Sequence, residues 1–202
     1  KILMMAQESD DKTDAYNMLS DIVNGCTFNA LDIKTMPIFD FEYLFLKIRC
    51  KSVGESAEIS VLCPDDNKTR VPVKINLDEI DVQVEDDHSN VVGITGSIKI
   101  IMRYPTVNDI KDVSEAETLK NVMKLLKVCI HEIHDGDTIH NMVDVTNSDL
   151  DDFIDSLSTE TFEKLAEFFN TMPKLTHVEE VKNPKTNVIS EVVIQGVDSF
   201  FS

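Results

Sequence analysis

The sequence predicts an α+β fold with N-terminal helices, a small central antiparallel sheet, and C-terminal helices followed by a terminal β-hairpin. Apolar residues recur at helical spacing before Gly54 and again after residue 106. Between these regions, and again near the C-terminus, they alternate with polar residues as in strands. These observations divide the chain into a helical region at 1–54, a β-rich region at 55–105, and a helical region with the hairpin at 106–202.

The composition indicates a globular protein with a strongly acidic surface. Hydrophobic residues make up 42% of the 202 residues, which is enough for a packed core. The chain carries 37 Asp and Glu against 19 Lys and Arg, a formal net charge of −18. This charge repels nucleic acid and anionic membranes and attracts basic proteins, so we expect no nucleic-acid partner and no membrane partner. The alternative that the acidity only keeps the protein soluble is left open.

The sequence carries no signal for membrane insertion or secretion. It has no run of about 18 apolar residues and no signal peptide at its start. Because the chain begins inside an apolar periodic pattern without an initiator Met, we expect an upstream segment to be missing. The cysteines Cys26, Cys50, Cys63 and Cys129 form no C-x-x-C pair, which fits a reducing cytosol in which thiols pack as small apolar groups.

Two helices are predicted before Gly54. Residues 1–24 carry apolar side chains at helical spacing on both sides of a polar break. Residues 40–53 place apolar side chains at i, i+3, i+4 and i+7, and Tyr43 and Leu46 widen this apolar face. The second helix is therefore expected to be buried on more than one side and to end at Gly54.

Short strands are predicted in the β-rich region. A turn cluster at 64–67 separates two alternating stretches and indicates a β-hairpin. Pro72 indicates that its strand lies at a sheet edge or has one free side. We expect one small antiparallel sheet with strands at 59–63, 71–75, 80–84 and 98–102.

A long amphipathic helix is predicted at 119–133, with histidines at its end. His131 and His134 would stand about one turn apart with His140 nearby, and two such imidazoles could share a metal ion. The spacing is not that of H-E-x-x-H. A solvated helix end, where His is favoured by the helix dipole, is the preferred interpretation. We therefore predict no catalytic residue, no metal site and no cofactor.

Two further helices and the hairpin are predicted in the remainder of the chain. Ser148 is expected to cap the first of these helices, and Ser158 or Thr159 the second. Pro173 is expected to close the second helix. Loop-forming residues at 183–187 stand between two alternating stretches and predict the terminal hairpin.

Large apolar side chains that exceed the needs of a core are candidates for partner binding. The helix at 40–53 is apolar nearly all round, and the chain ends with two aromatics where residues are normally polar. Such side chains often anchor protein interfaces. We predict partner binding by Phe41, Tyr43, Leu46, Phe200 and Phe201. The alternative that the last two fold back onto the preceding helix is left open.

Several hydrophobic stretches carry a family resemblance. The most distinctive is Asp-Phe-Glu-Tyr-Leu-Phe-Leu-Lys-Ile-Arg at 40–49, continued by Lys-Ser-Val-Gly-Glu at 51–55. The others lie at 1–9, 75–80, 168–175 and 196–201, so they touch most of the chain. Together they resemble the baseplate hub proteins of T-even-type contractile-tailed phages.

The resemblance implies a factor needed to build the central hub of the phage baseplate, and not an enzyme. The leading hypothesis is a protein-binding chaperone or scaffold for hub assembly in the host cytoplasm. The alternative is a permanent structural subunit of the hub in the virion, and a third is a metal-dependent enzyme that uses His131 and His134. The partners that the resemblance implies are other baseplate hub proteins or the tape-measure protein. Whether the protein forms a homo-oligomer is left open.

Overall fold

Helices and antiparallel strands confirm the α+β class. The computed structural model describes residues 12–110 and 119–200. The helices of these residues are α1 (Lys12–Cys26), α2 (Ile38–Val53), α3 (Val107–Ile110), α4 (Leu119–Cys129), α5 (Asn147–Asp155) and α6 (Thr159–Thr171). The strands are β1 (Ser56–Leu62), β2 (Arg70–Asn76), β3 (Asp81–Gln83), β4 (Val91–Thr95), β5 (Ile98–Met102), β6 (Ile130–Asp135), β7 (Thr138–Asn141), β8 (Lys174–Lys182) and β9 (Ile189–Gln195).

The chain divides into two compact units. One, here called the terminal unit, combines Lys1–Gln83 with Pro173–Ser202, and the other, the central unit, is the continuous segment Val84–Met172. The regions 1–54, 55–105 and 106–202 predicted from the sequence stay a prediction. The terminal unit draws on both parts of the chain because β3 pairs with β8 of the terminal hairpin. Local periodicity reports the type of an element but not its partner.

The helices of the terminal unit follow the predicted pattern. α1 confirms the first predicted helix, although its predicted part at 1–11 lies outside the described residues. α2 confirms the second helix and ends at Gly54, whose φ of +131° is a conformation that L side chains rarely adopt. Phe41, Phe45 and Leu46 project from α2 and are fully buried. The helix is therefore a central element of the core, as its apolar surface predicts.

Two hairpins complete the terminal unit. β1 and β2 pair in antiparallel register, with Pro72 opposite Ser60, and the sheet in which β2 lies has no third strand among the described residues. The predicted edge position of Pro72 is thus confirmed. β8 and β9 form the predicted terminal hairpin, and β3 adds to it in the order β3-β8-β9. The prediction of one sheet with four strands is wrong, because the expected strands are distributed over three sheets. Alternation determines which face of a strand is buried, not which strand lies beside it.

Polar side chains join the two hairpin turns of the terminal unit. Asn183 is 1% exposed, and its Nδ2 donates to Asp65 Oδ1 at 3.0 Å and Oδ2 at 3.1 Å. Thr186 Oγ1 donates to the same carboxylate. The hydrogen bonds from Thr186 and Asn183 hold the pKa of Asp65 below its ordinary value. Because a buried amide needs partners, this contact fixes two turns that are distant in the sequence.

The central unit is built on a four-stranded antiparallel sheet in the order β4-β5-β6-β7. Side chains from this sheet and from α4, α5 and α6 form its core. The fully buried members of the core include Ile100, Leu126, Cys129 and Leu165. The sheet and its helices are close in sequence, in contrast to the terminal unit, which is assembled from both parts of the chain.

The helix predicted at 119–133 is shorter than expected. α4 ends at Cys129, and Ile130 and Ile133 lie in β6, which pairs with both β5 and β7. The spacing of these two apolar residues fits a helix, but β-branched side chains favour a strand when sheet neighbours are present on both sides. Asp135-Gly136-Asp137 consequently belongs to the β6–β7 hairpin turn and not to a helix end. Gly136 has φ +58°, as tight two-residue hairpin turns require.

One of the two predicted helix caps is confirmed and the other is wrong. Ser158 caps α6, and its Oγ accepts from the Thr161 N–H at 3.2 Å, which confirms that prediction. α5 is capped by Thr146 rather than by Ser148. The Thr146 Oγ1 accepts from the Asp149 N–H at 3.2 Å and donates to Asp149 Oδ2 at 2.7 Å. This reciprocal pair satisfies an unpaired helix N–H and places a carboxylate near the helix N-terminus.

Candidate functional site

An open groove with an apolar floor lies on the central unit. Its volume is about 400 Å³, which falls in the range of binding pockets. The strands β5 and β6 supply one side of the floor, and α5 with the segment before it supplies the other. The half-buried floor residues are Ile98, Ile133, Met142, Val145, Leu150 and Phe153. We call this site the acidic groove, for the reason given next.

Carboxylates surround the apolar floor. Asp135, Asp144 and Asp149 line the groove and are exposed, and His140 is the other titratable side chain among the described residues that line it. Asp135 accepts a hydrogen bond from Ser97 Oγ at 3.2 Å. No Lys or Arg is among the described residues of this lining. The groove therefore presents apolar surface inside a negatively charged rim.

The acidic groove lies in the most one-sided charge segment of the molecule. Residues 128–163 contain ten Asp and Glu and no Lys or Arg, out of a net charge of −18 for the whole chain. Among the described residues, two of the ten meet cations from outside the segment, since Asp151 pairs with Lys127 and Glu160 pairs with Lys164. Asp135, Asp144 and Asp149 of the groove rim have no Lys or Arg partner within the described ranges. Such a concentration of like charge produces a negative potential that attracts cationic groups.

A second groove of about 590 Å³ lies beside the first on the same unit. Met142 and Leu150 line both grooves. The second contains the cations Arg103 and Lys127, and we call it the mixed groove. Both cations are paired: Arg103 Nη1 lies 2.7 Å from Asp109 Oδ2, and Lys127 contacts Asp151. The two cations of the mixed groove are thus neutralised by carboxylates. The described lining of the acidic groove contains no Lys or Arg that could neutralise its carboxylates.

Exposed apolar side chains accompany the two grooves. Val143, which lines the mixed groove, is 92% exposed, and Ile139 on β7 is 55% exposed. Val143 belongs to a short 3-10 helix at Met142–Asp144 that follows β7 directly. Clusters of exposed apolar groups beside a concave surface mark protein-interaction sites more often than isolated ones do.

The partner-binding residues predicted from the sequence lie in the terminal unit. Phe41, Leu46 and Phe200 have no exposed surface, because their side chains fill the core of that unit. In this conformation they present no contact area to a partner. Phe200 packs into the same core as Leu46 of α2 and Leu175 of β8. Partner binding by these residues stays a prediction. Phe201 lies outside the described residues.

Tyr43 is the predicted partner-binding residue that retains exposed surface among those described. Its half-buried ring packs against the core, and Lys47 Nζ lies 5.1 Å from the ring centroid. Lys47 also donates to the backbone oxygen of Asp78 at 2.6 Å. Partner binding by Tyr43 stays a prediction.

The histidines considered as metal ligands, His131, His134 and His140, stand on β6 and β7 and not at a helix end. His134 Nε2 lies 2.7 Å from Glu132 Oε2 on β6, while His131 lines the mixed groove and His140 the acidic groove. Among the described residues, no group of three or more His, Cys, Asp or Glu side chains is arranged to hold a metal ion. The geometry on which a shared metal site depends, two imidazoles one helical turn apart, is therefore not formed.

The buried thiols are poor nucleophiles. Cys50, Cys63 and Cys129 are buried, as the sequence predicts, while Cys26 is exposed. Burial raises the pKa of the thiols of Cys50 and Cys63, and it raises that of Cys129 to about 12. Because the thiolate is the reactive form, these three groups remain protonated and unreactive near neutral pH.

Sequence reasoning missed the acidic groove for a physical reason. Its floor joins residues from β5, β6 and α5, and the sequence pattern of β6 predicts a helix instead of a strand. A usable signal was nevertheless present in the sequence. The segment 128–163 combines ten acids, no Lys or Arg, and regularly spaced apolar residues, which together indicate an acidic surface with an apolar component.

Within the described ranges, no helix has both the length and the apolar character needed to cross a membrane.

The comparisons with known proteins concern the whole chain. No curated protein and no solved structure matches the chain significantly. The model of one protein family, described as T4 bacteriophage base plate protein, matches residues 1–202. The chain therefore belongs to the T4-type bacteriophage baseplate protein family, as its hydrophobic motifs indicate.

Proposed function

We propose that the protein is a chaperone or scaffold that binds another phage protein during assembly of the central baseplate hub. One observation carries the proposal: an apolar groove stays open to solvent on a unit whose core is otherwise packed. In a member of a baseplate family, the natural occupant of such a groove is another component of the same assembly.

The groove has the physical properties of a protein-binding site. Covering apolar surface is favourable by roughly 25 cal/mol for each Å² removed from water. The half-buried floor residues, such as Leu150 and Phe153, have part of that surface still to lose. The floor therefore supplies affinity, and the carboxylate rim selects among partners by charge.

The charge pattern favours a transient role before the tail is complete. Electrostatic attraction at an exposed rim accelerates association more than it prolongs the complex. A factor that captures a basic or aggregation-prone protein and later releases it needs this combination. We place its action in the host cytoplasm, with a hub or tape-measure protein as the client.

The decisive test is the amount of this protein in finished particles. Tails purified from infected cells and the corresponding lysate are compared by quantitative mass spectrometry with isotope-labelled peptides of this chain. The proposal expects abundant protein in the lysate and in hub intermediates, and its absence from finished tails. A constant copy number per tail would contradict a chaperone and would identify a permanent hub subunit.

A further inference from the structure

We infer that the acidic groove binds a short basic segment of the client, which places large apolar side chains on the groove floor and Lys or Arg at its rim. The inference rests on the proposed function and names the chemistry that this site recognises. Its two components are an apolar floor and unneutralised carboxylates.

The volume of the groove limits what can occupy its floor. About 400 Å³ accommodates large side chains of a peptide segment, but not the face of a folded domain. The floor is contributed by a sheet and a helix, and rigid elements hold a binding site in a fixed geometry. An extended or helical segment with regularly spaced apolar residues therefore fits this floor.

The rim determines the charge of that segment. Asp135, Asp144 and Asp149 are exposed around the floor, and no cation among the described lining residues neutralises them. An acidic or neutral apolar segment would leave these carboxylates unpaired and partly desolvated when the groove is covered. Lys or Arg beside the apolar anchors would instead pair with them, so a basic segment is selected.

A second copy of this chain is the less favourable occupant. Each copy carries a formal charge of −18, and two such molecules repel each other. Arg103 and Lys127, the cations of the adjacent mixed groove, are already paired within the central unit. Charge complementarity therefore points to a different, basic protein.

The full chain is tested with three fluorescein-labelled synthetic peptides of equal length. One alternates lysine pairs with leucine pairs, a second replaces leucine by serine, and a third replaces lysine by glutamate. Fluorescence anisotropy gives the dissociation constants at low and high salt. We expect binding of the lysine–leucine peptide alone, and weaker binding as salt increases, because salt screens exposed charges.

Matched variants locate the site. Asp135→Asn with Asp144→Asn removes two rim charges, and we expect the affinity to fall about tenfold. Asp152→Asn with Asp155→Asn removes two exposed charges from α5 that line neither groove. Because isolated surface charges contribute little, we expect the peptide affinity to change by less than about twofold. The two double variants have equal net charge, so overall attraction cannot account for a difference between them.

A second pair of variants tests the apolar floor. Val145→Thr places a hydroxyl in the acidic groove at nearly constant volume, whereas Val193→Thr does so at an exposed position of β9 in the terminal unit, which lines neither groove. We expect the peptide to bind more weakly to the first variant and unchanged to the second. Methyl NMR of the wild-type chain provides a measurement independent of folding defects, and we expect peptide-induced shifts at Ile133, Val145 and Leu150.

Defined outcomes overturn the inference. If the lysine–serine peptide bound as tightly as the lysine–leucine peptide, general charge attraction would account for the binding and the apolar floor would not contribute. Equal losses in both charge variants, or NMR shifts elsewhere, would remove the assignment to the groove. Concentration-dependent shifts of groove methyls without peptide would identify a second copy as the occupant. In each case the absence of the protein from finished tails would still support the chaperone function, so the two proposals fail separately.

Discussion

The terminal and central units use their apolar side chains in different ways. In the terminal unit Phe41, Phe45 and Leu46 of α2 are fully buried, and a buried amide joins two hairpin turns. In the central unit the core is also packed, but six apolar side chains remain half-buried along an open groove. The difference teaches that apolar content alone does not identify a binding surface. Incomplete burial beside unneutralised charge is the better indicator.

The largest expected effect comes from the core of the terminal unit. Phe41→Ala leaves a cavity at a fully buried position, so we expect the free energy of unfolding to fall by about 3–5 kcal/mol. Urea unfolding measures the total effect, and hydrogen exchange of peptides from each unit locates it. The lost protection should lie in the terminal unit.

An exposed aromatic of the same unit provides the control for Phe41. Phe28 is 90% exposed, and Phe28→Ala should change the unfolding free energy by no more than about 0.5 kcal/mol. Similar effects of the two substitutions would contradict the assignment of Phe41 to the core.

The next effect concerns the contact between the hairpin turns. Asn183→Ala removes a buried amide that bonds to Asp65, and we expect a loss of about 1–3 kcal/mol of stability. Lys185→Ala, at an exposed position of the same turn, is the matched control and should be nearly neutral. Faster hydrogen exchange should appear at 63–70 as well as at 183–188, since the amide joins both turns. Faster exchange at 183–188 alone would show that the contact does not stabilise the first turn.

Local spacing predicts the elements of both units but not their partners. The helix α2 and the two hairpins of the terminal unit were predicted from periodicity and turn residues. The pairing of β3 with β8 was not predicted. Alternation shows which face of a strand is buried, but it does not show which strand lies beside it. The helix prediction for residues 130–133 is wrong for a related reason, because the spacing of Ile130 and Ile133 fits an apolar helix face as well as a strand.

The candidate site was predictable only in part. The excess of acids predicts a basic partner, and the cation-free segment 128–163 locates that charge. The groove itself depends on which elements pack together, so its floor could not be read from one segment. The choice between two caps shows the same limit, because Thr146 and Ser148 both precede an Asp by three residues.

A smaller effect distinguishes those two caps in the central unit. Thr146→Ala removes the side chain that accepts from the Asp149 N–H, and we expect a loss of about 0.5–2 kcal/mol. Ser148→Ala should have almost no effect, because the structure assigns it no capping hydrogen bond. The measurement is thermal or urea unfolding together with hydrogen exchange of α5. A larger loss for Ser148→Ala would restore the cap predicted from the sequence.

The smallest expected effect is a pH dependence in the central unit at His88. Its Nδ1 lies 3.0 Å from Thr171 Oγ1, and its Nε2 lies 3.0 Å from the hydroxyl of Tyr104. Thr171 donates its own hydroxyl proton to the Glu167 carbonyl, so it accepts from Nδ1–H and leaves Nε2 to accept from Tyr104. This arrangement suits the neutral imidazole. Burial lowers the pKa of His88, although Asp87 acts in the opposite direction.

The sign of the pH effect follows from that lowered pKa. Below the ordinary value of 6.5 the unfolded chain binds a proton at His88 that the folded chain does not yet bind. The stabilisation is therefore complete above about pH 6.5 and decreases as the pH falls toward the folded-state pKa. Hydrogen exchange of the central unit between pH 5 and 7.5 measures this change, and His88→Asn, which keeps a donor but cannot titrate, should flatten it. An identical pH dependence in both proteins would assign the effect to other groups and would remove the proposed role of His88 in the stability of the central unit.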